Sequence, residues 1–156
     1  MPAASPNARQ RSRPPVAEEP GFDFQVISPA HVVLRERVTS LIVPGARGAV
    51  GFWAEHAPML VALAPGVVKY RGAGPGASGF KVLAVGGGFF EMSPDGQATL
   101  LADTAELPGE IDVARAEAAL QRARKRLARP TEETDISRAE VALQRAQARL
   151  RAAGKR

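Results

Sequence analysis

Short apolar runs separated by turn-forming residues fill the chain from residue 22 to residue 101. Phe22, Phe24 and Val26 alternate with polar residues, which is the pattern of a half-buried strand. Similar apolar or β-branched runs predict further strands at residues 32–34, 38–43, 50–53, 59–63, 67–70, 80–85, 89–92 and 97–101. Turns recurring about every 8–12 residues between such strands indicate a β-sandwich or a β-barrel.

Glycine and proline mark the places where these strands should turn. Pro44-Gly45 opens a turn, and Pro65-Gly66 separates two apolar runs. Residues 93–96, Ser-Pro-Asp-Gly, have the proline and glycine placement of a type I turn, and the glycine-rich residues 72–79 predict a loop. Residues 86–88 are three glycines inside an apolar run, which predicts a bulge or a close approach of two strands.

The spacing of apolar residues becomes helical after Pro108-Gly109. Steps of 3, 4, 3 and 4 residues place one apolar face on each of two helices. The two faces are Val113, Ala116, Leu120, Ala123 and Leu127, and then Ile136, Ala139, Leu143, Ala146 and Leu150. Asp112 and Asp135 stand where N-caps belong, and Pro130 breaks the chain between the helices.

The two predicted helices repeat one sequence. Residues 112–127 and 135–150 are identical at 11 of 16 positions. A short polar connection between like helices predicts an antiparallel hairpin. Alanine dominates the seam of this hairpin, and alanine buries little area at about 25 cal/mol per Å². The hairpin is therefore expected to be marginal alone and to need a surface on which to dock.

Positive charge is concentrated at the C-terminal end. Of the net +5, residues 111–156 carry 12 Lys+Arg against 6 Asp+Glu, whereas residues 22–110 carry 6 against 8. This basic arm predicts a polyanionic partner. Residues 1–21, rich in Pro, Ala and Arg, predict a disordered tail, with an organelle transit peptide as the alternative. No apolar run reaches the roughly 18 residues of a membrane span, and the lack of cysteine excludes thiolate chemistry.

Candidate catalytic chemistry is sparse. His31 and His56 are the only histidines, too few and too isolated for a triad or a zinc site. Gly74, Gly79 and Lys81 resemble part of a phosphate-binding P-loop, but the lysine is one position late and a strand follows where a helix is required. We therefore predict no catalytic residue and no metal site.

Arginines recur on one face of each predicted helix. They are Arg115, Arg122 and Arg126 on the first helix and Arg138, Arg145 and Arg149 on the second. If the helices fold back, these groups can converge into an anion site, because an arginine fork binds phosphate oxygens in pairs. A solvated charged face is the alternative. Nucleic acid is a further candidate ligand, although residues 111–156 contain no aromatic side chain to stack on a base.

Four stretches, in this order, resemble the epsilon subunit of bacterial F-type ATP synthases. The first is Val43-Pro-Gly-x-x-Gly-x-x-Gly51 followed by His56-Ala-Pro-Met-Leu60 and Leu63-x-Pro-Gly66. The others are Val85-Gly-Gly-Gly-Phe-Phe-Glu91, Leu101-Ala-Asp-Thr-Ala-Glu106 and Ile111-Asp-Val-Ala-Arg-Ala116. Each motif is modest alone, but the four in order are specific, and the resemblance covers residues 22–153.

The resemblance implies a mainly β protein with added α structure: after the tail at 1–21, a ten-stranded β-sandwich at 22–104 and an antiparallel two-helix hairpin at 105–156. It implies a non-catalytic central-stalk subunit that couples the gamma subunit to the c-ring. The hairpin is expected to inhibit ATP hydrolysis by extending toward the alpha/beta hexamer. The subunit would be peripheral, on the cytoplasmic side of the bacterial inner membrane, touching it only through the c-ring; an organelle inner or thylakoid membrane is the alternative.

In some members of this family the folded hairpin binds ATP as a regulatory ligand, while no cofactor is required. The matching residues here are Glu106, Ile111, Asp112, Arg115, Ala116, Arg122, Arg145 and Arg149. Repulsion among these arginines is expected to disfavour the folded hairpin until a polyphosphate neutralises them.

The resemblance also implies a c-ring contact near Arg47, Glu55 and His56. Two departures from the family bear on its detail: Ala49 stands where an acidic residue is common, and Ala54-Glu55-His56 replaces a common Pro-Gly-His. We predict the synthase subunit, without a nucleic-acid partner. The alternative is a stand-alone basic hairpin that binds nucleic acid or another polyanion.

Overall fold

The computed structural model describes residues 20–155, which form a seven-stranded sheet followed by two helices. The strands are β1 (Phe22–Ile27), β2 (Val32–Gly45), β3 (Gly48–Trp53), β4 (Met59–Gly72), β5 (Lys81–Met92), β6 (Ala98–Ala102) and β7 (Ala105–Glu106). A 3₁₀ turn, Pro108–Glu110, leads into α1 (Val113–Ala128) and α2 (Ile136–Ala152). The predicted disordered tail lies outside the described residues, apart from its last two positions.

The sheet closes on itself around one core. Its order is β1-β6-β5-β4-β2-β3, and β1 also pairs with β2. β7 pairs with β5, so the sheet reaches two residues past the position 104 at which we placed the end of the sandwich. Phe52 and Phe90 are fully buried, with ring centroids 4.4 Å apart, at the centre of this core. The predicted sandwich followed by a helical hairpin is confirmed.

The described part of the chain has seven strands, and the expected number of ten is wrong. β2, β4 and β5 are 14, 14 and 12 residues long, and each replaces two of the shorter strands predicted from the sequence. The β2 ladder shifts register between Val38 and Ser40. β4 continues through Pro65-Gly66, where a turn was predicted. A long strand can bend at such an irregularity and pair with different neighbours on either side of it, so no turn is needed.

The three glycines of β5 allow a neighbouring segment to approach its backbone closely. Gly87 and Gly88 have φ values of 108° and 127°, a region that strains any residue with a side chain. A Cβ atom on Gly88 would lie 2.0 Å from the carbonyl oxygen of Leu101, and one on Gly86 would lie 2.2 Å from Oγ1 of Thr104. The predicted close approach of two strands is confirmed.

Both helices begin at the predicted caps. The side chains of Asp112 and Asp135 accept hydrogen bonds, each 2.9 Å long, from the backbone N–H groups three residues later. The buried seam between the helices consists of Ala116, Leu120, Ala146 and Leu150. The apolar faces predicted from the 3-4 spacing therefore meet one another.

The hairpin docks on the sheet through α2, which packs against β4 and β5. Ala84, Ile111 and Ala152 form a small buried cluster, bordered by the half-buried Val67 and Val82. Because most of these side chains are small, the apolar area that they remove from water is small too. The alanine-rich seam predicted that the hairpin needs a surface on which to dock, and β4 and β5 provide that surface.

Replacing Gly88 with alanine is expected to cost about 3 kcal/mol or more of folding free energy, because the new Cβ clashes with a backbone oxygen at positive φ. Gly96→Ala is the matched control. Gly96 has a φ of 80° but no neighbouring atom within 4 Å of an added Cβ, so it should cost only about 1 kcal/mol. Urea unfolding measures both variants. Equal losses would contradict the close-approach argument.

Candidate functional site

The segment between sheet and hairpin sets the position of the first helix. The backbone N–H of Leu107 donates to Oε2 of Glu110 at 3.0 Å, and the Glu110 N–H donates to the Leu107 carbonyl at 2.9 Å. This tight turn carries the chain from β7 to Asp112. The start of α1, with its partial positive charge, therefore lies beside the end of the sheet.

A cavity of about 320 Å³ lies at this junction. Its lining residues come from β7, the 3₁₀ turn and both helices: Glu106, Glu110, Asp112, Arg115, Ala116, Ala119, Arg122 and Arg149. Six of the eight predicted nucleotide-contact residues are among them. The cavity thus brings together groups that are far apart in the sequence.

The carboxylates around this cavity already have partners. Glu106 accepts a hydrogen bond from Nε of Arg149. Glu110 accepts from the Leu107 N–H, and Asp112 accepts from the Arg115 N–H. Each acidic group therefore has a hydrogen-bond partner before any ligand arrives, and Glu106 is also paired with a positive charge.

Two guanidinium groups on the cavity wall, in contrast to these carboxylates, have no charged partner among residues 20–155. Arg115 and Arg122 line the cavity and are exposed. Within residues 20–155, no carboxylate oxygen lies within 4 Å of either side chain. Arginine without a carboxylate partner has its full set of N–H donors available for an anion. The cavity can accept a phosphate or carboxylate at this wall.

Two predicted contact residues lie outside the cavity wall. Ile111 is 8% exposed and packs with Ala84 and Ala152 under the hairpin. Arg145 donates from Nε to the Gly86 carbonyl at 2.9 Å, and its Nη2 lies 3.4 Å from the Asp103 carboxylate. These two residues hold the hairpin on the sheet.

The sequence analysis missed several residues of this region. Glu110 and Ala119 line the cavity, whereas Gly86 and Asp103 receive Arg145. Glu110 had no clear signature, because the residue three positions before it is Leu107, and a capping box requires a Ser, Thr, Asp or Asn there. The partners of Arg145 had none, because they lie 59 and 42 residues away in the chain.

Two of the four arginines that were expected to repel one another have acceptors on the sheet side of the junction. Arg145 and Arg149 each contact an acceptor on the sheet side of the junction. Their charges therefore help to hold the hairpin down. Only Arg115 and Arg122, among the four predicted arginines, lack such a partner in the described region.

The three predicted c-ring residues do not form one site. Arg47 is exposed at the tip of the β2–β3 hairpin, whereas Glu55 and His56 follow the other end of β3. β3 has six residues, so its ends are about 20 Å apart at roughly 3.3 Å per residue. The His56 ring lies 4.6 Å from the Phe52 ring, and its Nδ1 lies 2.8 Å from the Ala57 carbonyl oxygen.

A row of exposed apolar side chains crosses the sheet outside this junction. Leu60, Phe89 and Leu101 are 70%, 55% and 53% exposed. Phe89 and Leu101 are direct partners across the β5–β6 ladder, and Ala62 extends the row on β4. Contiguous exposed apolar surface of this kind marks an interaction site. We call it the apolar row.

Between residues 20 and 155, no helix is long and apolar enough to cross a membrane. The same part of the chain contains no group of three or more His, Cys, Asp or Glu side chains that is arranged to hold a metal ion.

Comparison with known proteins assigns both parts of the chain to one family. Residues 21–108 match "ATP synthase, Delta/Epsilon chain, beta-sandwich domain", and residues 110–154 match "ATP synthase, Delta/Epsilon chain, long alpha-helix domain". The ATP synthase epsilon chain of Carboxydothermus hydrogenoformans is 47% identical over 132 residues, covering 85% of this chain and 95% of that one. The epsilon chain of Syntrophomonas wolfei is 42% identical over 115 residues, covering 74% and 81%.

Solved structures of ATP synthases contain chains with the same fold. A chain of the Euglena gracilis mitochondrial ATP synthase, in its OSCP/F1/c-ring assembly, aligns with a TM-score of 0.71 and 25% identity, covering 85% of this chain and 81% of that one. A chain of the Tetrahymena thermophila mitochondrial ATP synthase shares the fold at a TM-score of 0.56 and 13% identity, covering 87% of this chain and 98% of its own length. This chain belongs to the ATP synthase delta/epsilon family, and its sequence relatives there are epsilon chains of the F-type enzyme.

Proposed function

We propose that this central-stalk subunit has no catalytic role of its own and that it joins the gamma subunit to the c-ring while restraining ATP hydrolysis. The observation that carries this proposal is the way the hairpin is held. It rests on the sheet through small apolar side chains and through Arg145 and Arg149. A contact of this size can be strengthened by a ligand or exchanged for another surface.

ATP is the ligand that we propose for the cavity at the base of the hairpin. Arg115 and Arg122 would bind phosphate oxygens, since they are the arginines of the wall without carboxylate partners. The volume of about 320 Å³ is near the lower end of the roughly 300–1,000 Å³ of small-molecule sites. Part of the nucleotide would therefore lie along the open rim.

ATP binding would favour the docked hairpin by selection. The cavity wall combines Glu106 from the sheet, Arg122 from α1 and Arg149 from α2, so this wall exists only when the hairpin is folded against the sheet. A ligand that binds one of two states shifts the population toward that state. At low ATP the hairpin would leave the sheet, and its basic arginines would contact acidic surface of the alpha/beta hexamer.

The sandwich would contact its two stalk partners at separate places. We assign gamma to the apolar row, because burial of Leu60, Phe89 and Leu101 would remove exposed apolar area from water. The row uses Leu60 and Ala62 of β4, whereas the hairpin covers Val67 on the same strand. We assign the c-ring to the turn between β2 and β3, which carries Arg47. Residues 46–49 are all exposed there.

The first test is calorimetry of ATP with the isolated chain. Arg115→Ala and Arg122→Ala should each weaken binding by about tenfold to a hundredfold, because each removes a charge-assisted hydrogen bond. Arg126→Ala is the matched control, since Arg126 lies on the same helix outside the cavity wall. No heat of binding at millimolar ATP, or equal effects of all three substitutions, would refute the assignment of the cavity.

Removal of the hairpin tests its regulatory role. A chain ending at Glu110 keeps every strand and the buried aromatic core, so we expect it to fold and to bind gamma. A synthase carrying it should hydrolyse ATP faster under inhibiting conditions than one with the full chain. Phe89→Asp in the same shortened chain should abolish gamma binding. Unchanged hydrolysis would show that the hairpin is not the inhibitor.

The orientation of the sandwich can be tested by disulfide crosslinking, because the chain has no cysteine of its own. Arg47→Cys should crosslink to a cysteine in the c-subunit loop, and Glu55→Cys, at the opposite end of β3, should not. The reverse result would mean that the sandwich stands upside down in the stalk. Crosslinks from both positions only to alpha or beta would refute the c-ring contact.

A further inference from the structure

A second cleft lies on the outer side of the sheet where β2, β3 and β4 meet, away from the hairpin. Its volume is about 300 Å³. The lining residues are Pro20, Thr39, Ser40, Ile42, Trp53, Ala54, Arg71 and Phe80. Trp53 and Phe80 are 59% and 47% exposed, so two large aromatic side chains flank the opening. Nothing in the proposed coupling and ATP-binding roles uses them.

The strand register places a cation, Arg71, two strands away from Trp53 and beside Phe80. Ser40 pairs with Trp53 across the β2–β3 ladder and with Arg71 across the β2–β4 ladder. The guanidinium carbon of Arg71 lies 4.9 Å from the centre of the Phe80 ring. Stacking of this kind uses the face of the guanidinium and leaves its in-plane N–H donors available to a ligand.

Two polar atoms buried beneath the cleft lack partners among residues 20–155. Thr39 is 8% exposed, and its Oγ1 has no hydrogen-bond partner; the buried Nε of Arg71 has none either. Within residues 20–155, no carboxylate oxygen lies within 4 Å of Arg71, and no acidic residue lines the cleft. Buried polar atoms in folded proteins nearly always have a partner. These two atoms lie beneath the cleft surface, whereas the Nη groups of Arg71 are not among the buried atoms and can donate to an acceptor in the cleft.

We propose that this cleft binds a carboxylate carried beside an apolar or aromatic group on a segment of a partner polypeptide. The carboxylate would accept hydrogen bonds from the Nη groups of Arg71, and its apolar neighbour would pack against Trp53 and Phe80. Tryptophan and arginine at a pocket are the combination that dominates binding energy between proteins. Because no acidic group of the cleft competes for Arg71, a negative partner is favoured by charge as well.

Trp53 makes the cleft directly observable, because it is the only tryptophan of the chain. The full-length chain is titrated with N-acetyl-phenylalanine, which carries one carboxylate and one aromatic ring. N-acetyl-phenylalanine amide, which lacks the charge, is the matched probe. We expect a saturable change in Trp53 emission with the acid and a response at least about tenfold weaker with the amide, because the amide cannot form the charge-assisted pair.

Arg71→Gln should weaken the response to the acid by about tenfold or more. Arg37→Gln is the control, since Arg37 is an exposed arginine that pairs with Asp23 outside the cleft. Equal responses to acid and amide, an unchanged response in Arg71→Gln, or no saturable response in any variant would overturn the proposal.

The chain itself supplies a rival carboxylate source in Glu18 and Glu19, which precede the cleft residue Pro20 in the sequence. The titration is therefore repeated with Glu18→Gln/Glu19→Gln. An unchanged affinity supports a separate partner. If the acid acts only on this double variant, the chain's own carboxylates fill the cleft, and the proposal of a partner segment is wrong.

Discussion

Backbone contacts between residues 86–87 and 103–104 hold together the three parts of this molecule. The Gly86 N–H donates to the Thr104 carbonyl at 2.9 Å, and the Asp103 N–H donates to the Gly87 carbonyl at 3.0 Å. The Gly86 carbonyl in turn accepts the hydrogen bond from Arg145 of α2. A Cβ atom on Gly86 would lie only 2.2 Å from Oγ1 of Thr104, so a side chain there would push the two segments apart. The exit of the chain toward the helices and the docking of the hairpin therefore depend on one close approach.

The docked hairpin is held by many small contributions. Its apolar cluster is built from alanine and a few larger residues, and the ion pair of Arg145 with Asp103 is partly exposed on both sides. Exposed pairs of this kind contribute about 0–1 kcal/mol each. Weak docking suits a regulatory arm, because a ligand or a competing surface need supply only a modest free energy to move it.

Local sequence signals predicted most of the fold. The alternation at Phe22, Phe24 and Val26, the caps at Asp112 and Asp135 and the turn at residues 93–96 all have the predicted structure. The strand count failed because Pro65-Gly66 signals a turn locally, whereas pairing with β5 on one side keeps β4 extended through it. Whether such a segment turns or stays extended depends on strand partners about 20 residues away in the chain. Local periodicity contains no information about those partners.

The sequence by itself determined the family, the helix faces and caps, and the set of arginines from which an anion site is built. It could not rank those arginines, because equal helical spacing makes Arg115, Arg122, Arg145 and Arg149 equivalent. Docking of α2 on the sheet distinguished them: two became contacts to the sandwich, and two remained available at a cavity. The cleft around Trp53 and Arg71 likewise exists only after three strands align. Periodicity fixes where a side chain points from its own element, and only tertiary contact decides what it meets.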